Sequence, residues 1–442
     1  MSQRRQQAAL VAYRAVSDVA GKGAFFVVTL VAARRLSQDA FGLFSLGTTV
    51  GWIAAVATDF GIQLHLARAV AQRPLDAPRL LRAWLRVRLW TSALAVATVA
   101  AGLAIASPSP AFSSAILVFT VVYVLNGLIE FLHYFYRGMS RSDLESTITL
   151  GQRAAMLALA IAALWWMPNV TLLGVAMAIP SIAALWFSTR LARQLAVRLS
   201  SASNATNASF ETGIADTVKP LDSLGSVIPI GAGIVLSALY FRVDVFLVQA
   251  WQGTTAVALY NAVFRVVDAL RLFPAAVLAV TLPVLCRATS RHVLVKLSTI
   301  LTGAALAVSG VLWLSAGFLV PALYGSRYAA AVPAFRILLL AFPLMSLNYA
   351  LTHQLIGWHG HRSYAVLCAV ALAFNVGLNT RLIPSFGIVG AAWATVATEC
   401  LLTLGCLIAL ARISSLELLT AAASPSTLSN QSRPSMLSSV LS

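Results

Sequence analysis

Long apolar runs separated by short polar clusters dominate the chain. Residues 89–129 hold no Asp, Glu, Lys or Arg, and neither do residues 154–189. A membrane helix needs about 20 mostly apolar residues, so each run is long enough for two. Pro108 and Pro110 divide the first run, and Met167-Pro168-Asn169 divides the second. The same pattern along the chain predicts about twelve spans, near 11–32, 42–62, 88–106, 112–135, 148–166, 170–189, 226–249, 256–285, 297–320, 332–356, 364–383 and 387–410. Pro274 and Pro283 in span eight and Pro343 in span ten are predicted to break those helices. The longest stretch between spans is rich in Ser, Asn and Ala. The chain therefore divides into a six-helix half at 1–195, a linker at 196–225, a second six-helix half at 226–412 and a disordered Ser-rich tail at 413–442.

Composition strengthens this reading. Of 442 residues, 59% are hydrophobic and 10% charged, too little polar material to cover a soluble core of this size. The formal net charge is +17. In a soluble protein such an excess suggests nucleic acid, but here its placement matters more. One predicted inter-span segment carries Arg68, Arg73, Arg79, Arg82, Arg86 and Arg88, and the linker region carries Arg190, Arg193, Arg198 and Lys219. The alternate segments carry only Arg34, Arg35, Arg327 and Arg381. Basic residues concentrate in cytoplasmic loops, so both termini are expected in the cytoplasm and no nucleic-acid partner is implied. The expected location is the cell inner membrane. The first helix is expected to be an uncleaved span, because it lacks a short apolar region followed by a cleavage site.

The two halves resemble each other at one offset. Ala40-Phe41-Gly42-Leu43-Phe44-Ser45 aligns with Ala256-Val257-Ala258-Leu259-Tyr260-Asn261, and Leu173-Gly174-Val175-Ala176-Met177-Ala178 with Val389-Gly390-Ala391-Ala392-Trp393-Ala394, both 216 residues later. Parallel repeats of this kind are a transporter architecture with the substrate path between the halves. The expected fold is thus all-α, with two six-helix repeats around a central cavity.

Charges within spans are the candidate chemistry. Each costs about 2.5–3.5 kcal/mol mid-helix on the insertion scale, so it faces a partner or a cavity. In span one, Arg14, Asp18 and Lys22 recur every four residues and share one helical face. Span seven carries Arg242 and Asp244, whose i, i+2 spacing sends them to different faces and leaves each in need of another partner. Span eight carries Arg265, Asp268 and Arg271 at three-residue intervals, a ladder with one positive charge left over. Glu130 and Glu399 are isolated acids in spans four and twelve, each able to carry a proton or to bond a neighbouring helix. The bases Arg14, Lys22, Arg242, Arg265 and Arg271 are the candidate substrate contacts. Asp244 is the first candidate for ion coupling, followed by Asp18, Asp268 and Glu399. No nucleophile–base pair, phosphate loop or metal-ligand cluster is readable, so neither an enzyme nor a cofactor is expected. The scattered cysteines Cys286, Cys368, Cys400 and Cys406 are read as small packing residues.

Several segments in order resemble one known family. They run from Ala33-Arg34-Arg35-Leu36-Ser37 through Phe41-Gly42-Leu43-Phe44-Ser45 to Thr58-Asp59-Phe60-Gly61. Tyr240-Phe241-Arg242-Val243-Asp244, Leu259-Tyr260-Asn261-Ala262-Val263-Phe264-Arg265, Leu323-Tyr324-Gly325-Ser326-Arg327-Tyr328 and Ile383-Pro384-Ser385-Phe386-Gly387-Ile388-Val389-Gly390 follow. Over about residues 10–410 the chain resembles the polysaccharide-biosynthesis flippases, of the O-antigen type, within the multidrug/oligosaccharidyl-lipid/polysaccharide flippase superfamily. The resemblance implies alternating access, a central cationic cavity and a polyprenyl-diphosphate-linked oligosaccharide as substrate. It also implies proton or sodium coupling in some members, and a neighbouring polysaccharide polymerase or glycosyltransferase complex. Two alternatives stay open: a multidrug-type small-molecule or cation antiporter of the same fold, and a membrane-embedded glycan polymerase or ligase. The short, nearly uncharged outer loops weigh against the last.

Overall fold

The structure, a computed structural model, describes residues 3–207, 224–278, 291–358 and 360–422. It describes side chains within 13–198, 231–278, 294–358 and 360–413, apart from Ala15 and Asp18. The described residues are helical throughout, with two short 3-10 turns at Pro74–Asp76 and Ser326–Ala331. The helices are α1 Gln3–Arg35, α2 Gln38–Asp59, α3 Ile62–Gln72, α4 Ala77–Ala106, α5 Pro110–Gly138, α6 Ser142–Trp166, α7 Val170–Asn207, α8 Leu224–Leu270, α9 Arg291–Tyr324, α10 Val332–Gly357 and α11 His361–Ala422.

Among the described residues nine helical segments are long and apolar enough to cross a membrane. Two of the longest are hairpins rather than single spans. α8 turns at Gly253 (φ 77°, ψ −175°) and α11 at Gly387 (φ 55°, ψ −136°). Bonds that straddle each bend show the antiparallel return: Asp244 accepts from Tyr260 around Gly253, and Asn375 donates to Thr398 at 3.0 Å around Gly387. With both hairpins counted as pairs and α1 added, the architecture is an all-α polytopic fold of twelve spans in two bundles.

The predicted turns form for the expected reasons. Ser109 caps α5 by accepting the Phe112 N–H at 3.3 Å, with Pro110 in the first turn. Asn169 caps α7 by accepting the Thr171 and Leu172 N–H groups at 2.8 and 3.1 Å. Elsewhere the expectations need correction. Pro343 does not break span ten. It lies buried inside a continuous α10, where packed neighbours take the place of the lost backbone bond. Pro274 is buried within the helical residues 272–278, just past a turn at Arg271, while Pro283 lies outside the described residues. Span three begins earlier than predicted, because α4 extends toward Ala77 through arginines that reach beyond the apolar layer. α7 continues to Asn207 and α11 to Ala422, so helix enters both the expected linker and the expected tail. Residues 208–223 and 423–442 lie outside the described residues, as does Cys286. Cys368 and Cys406 are buried, but Cys400 is exposed, so it does not fill the core as expected.

The main core runs through both halves, with Phe41, Phe44 and Phe119 from one and Tyr260, Phe264 and Phe335 from the other. A second cluster ties α3, α4, α5 and α7 together around Trp84, Phe135 and Tyr136. Where the halves meet, α2 crosses the second arm of α8. A Cβ at Gly42 would stand 2.1 Å from the Thr254 carbonyl oxygen, so only glycine permits that approach. Asp39 accepts a hydrogen bond from Thr255, 216 residues away. That separation equals the repeat offset, so two equivalent positions meet face to face, as residues on a pseudo-twofold axis must.

Candidate functional site

A central cavity of about 1020 Å³ separates the halves. Its wall includes the bases Lys22, Arg88, Arg137, Arg153, Arg242, Arg265 and Arg271 and the carboxylates Asp59, Glu130, Glu145, Asp268 and Glu399. It reaches from mid-bundle toward the end where α2 and α5 terminate and α6 and α11 begin.

The second half contributes a tight charge cluster. Asp268 accepts a hydrogen bond from Arg242 of the other hairpin arm and lies 3.9 Å from Arg265 and 3.6 Å from Arg271. One carboxylate thus serves three guanidinium groups. Aromatic faces hold the cations in place of further acids: Arg242 lies 4.5 Å over Phe264, Arg271 3.9 Å over Phe241, and Arg265 5.3 Å over Phe25 of the first half. Arg265 also donates to Thr48 at 3.0 Å, a second contact across the halves. One nitrogen on each of the three arginines is buried without a hydrogen-bond partner. Glu399 lines the cavity and accepts from Asn348 at 2.7 Å, and Thr403 donates to Asn348 at 2.8 Å.

The structure sorts the predicted residues. It brings Lys22, Arg242, Arg265, Arg271, Asp268 and Glu399 to one cavity. Arg14 lies 3.8 Å from Glu145, a carboxylate of span five that also accepts from Arg137 at 2.8 Å. The Asp18 side chain lies outside the described residues. Asp244, as its i+2 spacing required, points away from Arg242. It is buried, accepts from the Tyr260 hydroxyl and from the Val245 N–H at 2.8 Å, and is absent from the described cavity wall.

Further charges line the cavity. Arg88 opens predicted span three, Arg153 lies within predicted span five, and Arg137 and Glu145 fall between predicted spans four and five. The structure places them on the cavity wall, because α4, α5 and α6 extend past the charge-free runs. One signal was available: Glu145, Thr149, Gln152 and Arg153 recur at i, i+4, i+7 and i+8, a single polar helical stripe, and all four line the cavity. Arg88 is fully buried, donates to the Ala55 carbonyl at 3.3 Å and has two further nitrogens unpartnered. Among the described residues no group of His, Cys, Asp and Glu is arranged to hold a metal.

The opposite end of the cavity is closed by a reciprocal exchange. Arg34 at the end of α1 donates to the carbonyls of Leu323, at 2.8 Å, and Ala322, in the last turn of α9. Arg327 just beyond α9 donates to the carbonyls of Leu36, at 2.7 Å, and Ala33 at the end of α1. Gln38 donates to the Arg327 carbonyl at 2.8 Å. Carbonyls in a final helical turn lack intrahelical donors and carry the negative end of the helix dipole, so each arginine supplies what the other half's helix needs.

Residues 9–289 match the family described as polysaccharide biosynthesis protein. Among solved structures, the chain is similar to a multidrug resistance transporter of the MATE family and MOP superfamily in an inward-facing conformation. The identity is 15%, with 92% of this chain and 96% of that chain covered and a TM-score of 0.64. An outward-facing structure of such a transporter matches at 15% identity with the same coverage and a TM-score of 0.60. A MOP superfamily transporter from Pyrococcus furiosus, described as having a binding pocket of reverse polarity, matches at 15% identity, 92% and 96% coverage and a TM-score of 0.63. No curated protein matches the chain significantly.

Proposed function

Starting from a chain that belongs to the polysaccharide biosynthesis protein family and to the MOP superfamily of polytopic membrane transporters, we propose that it carries a polyprenyl-diphosphate-linked oligosaccharide across the membrane by alternating access. The protein is a transporter with a MATE-like two-bundle fold, not an enzyme. The observation that carries the substrate reading is the Asp268 cluster: three guanidinium groups share one carboxylate on the cavity wall, leaving two positive charges for a ligand. A diphosphate supplies the missing counter-charge through charge-assisted hydrogen bonds of about 1.5–3 kcal/mol each. Lys22 faces the same space from the other half. The polar head cannot cross hydrocarbon and needs such a cavity, whereas the prenyl tail can stay in lipid.

With both termini in the cytoplasm, the closed end bearing Arg34 and Arg327 is the outer one and the cavity is open inward. On this reading the protein lies in the inner membrane. Coupling to a proton or sodium gradient then falls to cavity carboxylates, Asp268 and Glu399 ahead of Asp244, because an ion must reach the group through water. A polymerase or glycosyltransferase complex is the natural partner on this reading.

The test is transport in proteoliposomes of a fluorescent short-chain polyprenyl-diphosphate glycan. The wild-type protein is expected to translocate it, and the Lys22→Ala, Arg271→Ala double variant to lose most retention while staying folded. A second reading, a multidrug-type antiporter, is favoured by the fold's solved neighbours and by Glu130 and Glu399 on the wall. Gradient-driven movement of a cationic dye, with the glycan left untouched, would replace the first reading with the second.

A further inference from the structure

Two helices of the first half carry the same surface pattern in opposite directions. On α4 the exposed Arg79, Arg82 and Arg86 precede Trp90, which is 78% exposed. On α7 Trp186, 61% exposed, precedes the exposed Arg190, Arg193 and Arg198. The helices pack against each other through the α3–α4–α5–α7 cluster. Beyond each tryptophan, away from the arginines, the large exposed side chains are apolar: Leu94 on α4, and Ile179 and Ile182 on α7.

This order matches the layers of a bilayer: apolar chains, then an interfacial tryptophan, then cations. At about 1.5 Å per residue, Arg86 and Arg190 lie about 6 Å beyond their tryptophans, within a headgroup layer about 5–8 Å thick. Arg82 and Arg193 follow one turn out, about 10–12 Å beyond, where side chains several ångström long can reach back to the layer. Arg190 lies 5.4 Å over the Trp186 ring, and a groove of about 780 Å³ runs along α7 past Arg193 and Arg198. Among the described residues none of these six arginines has a carboxylate within ion-pair distance. Among the described residues Arg82 bonds only the Pro78 carbonyl of its own helix, at 3.2 Å.

We propose that this face of α4 and α7 is a binding site for anionic phospholipid headgroups. The phosphate sits among Arg82, Arg86, Arg190 and Arg193, and the acyl chains lie along the apolar surface beyond the tryptophans. The site is separate from the transport cavity and does not depend on what that cavity carries.

The test uses the full chain in nanodiscs of phosphatidylcholine containing a minority of phosphatidylglycerol, with the lipids that remain bound after release counted by native mass spectrometry. The wild-type protein is expected to retain phosphatidylglycerol selectively. Each base at an anionic surface contributes about five-fold, so replacing Arg82, Arg86, Arg190 and Arg193 with Gln should lower the preference on the order of 100-fold or more. Replacement with Lys should preserve most of it. Retention should also fall steeply in high salt, which tests the site even if the Gln variant fails to fold. Equal retention by the Gln variant, salt-insensitive retention, or displacement of the lipid by millimolar inorganic phosphate would overturn the proposal. So would selectivity that emerges only after Glu211, Asp216 and Asp222 are neutralised, because the connecting segment would then occupy the face.

Discussion

Asp268 is the residue on which most of the cavity chemistry turns. Replacing it with Asn leaves Arg242, Arg265 and Arg271 facing one another without a carboxylate. The expected result is loss of gradient-driven transport together with a fall in thermal stability, because three clustered guanidinium groups lose their shared half-buried counter-charge. Asp244→Asn should behave differently. Its carboxylate accepts from Tyr260 and Val245 away from the cavity, so the variant should lose about 1–3 kcal/mol of stability and keep its gradient dependence. Proteoliposome flux with and without an imposed gradient, beside a melting curve for each variant, separates the two. Gradient-independent transport by Asp244→Asn would return that residue to the coupling role. Both carboxylates were legible as intramembrane charges. Their roles were not, since a side chain two positions away on the same helix says nothing of what stands opposite.

At the scale of elements, the hairpin bends and the reciprocal arginine exchange govern how the helices are held. Gly387 at φ 55°, ψ −136° occupies backbone space that a side chain tolerates poorly, and Gly253 at φ 77°, ψ −175° is similar. Gly253→Ala and Gly387→Ala are each expected to cost about 1–3 kcal/mol, seen as a lower melting temperature without a change in ligand preference. Arg34 and Arg327 bind backbone carbonyls across the halves only while that end is shut. The Arg34→Ala, Arg327→Ala double variant should therefore shift the population toward the conformation open at that end. Distances measured between spin labels near Ser37 and Ser326 should lengthen, and an unchanged distribution would show that the exchange does not hold the gate. The arginines were read as loop charges of the outer face. Their partners are main-chain oxygens, which no pattern of side chains can announce.

For the whole molecule, alternating access as proposed would be a rocking of one half against the other about the α2–α8 contact. Gly42 lies at that contact against the Thr254 carbonyl. Gly42→Leu should force the halves apart there and reduce transport several-fold while leaving each bundle helical by circular dichroism. The orientation is testable in intact cells. A cysteine at Ser109, in the α4–α5 turn, should react with an impermeant reagent, and one at Ser140, in the α5–α6 turn, should not. The reverse pattern would invert the topology and with it the inner and outer sides of the cavity.

The primary structure by itself determined the membrane class and the number and order of spans, and it suggested the two-half division and the repeat offset. Each follows from local hydropathy, turn chemistry or self-similarity along one dimension. It also singled out Lys22, Arg242, Arg265, Arg271, Asp268 and Glu399 as charges within spans, because a charge in an apolar run is conspicuous for its cost, and all six line the cavity. Only the tertiary structure decided that Asp268 serves three arginines, that Glu145 stands between Arg14 and Arg137, that Arg88 and Arg153 belong to the cavity wall, and that Asp244 does not. Those outcomes depend on which helical faces meet and how far each helix projects past the apolar layer. They are distances between side chains that stand from a few to more than a hundred positions apart, set by packing of the whole bundle rather than by any local pattern.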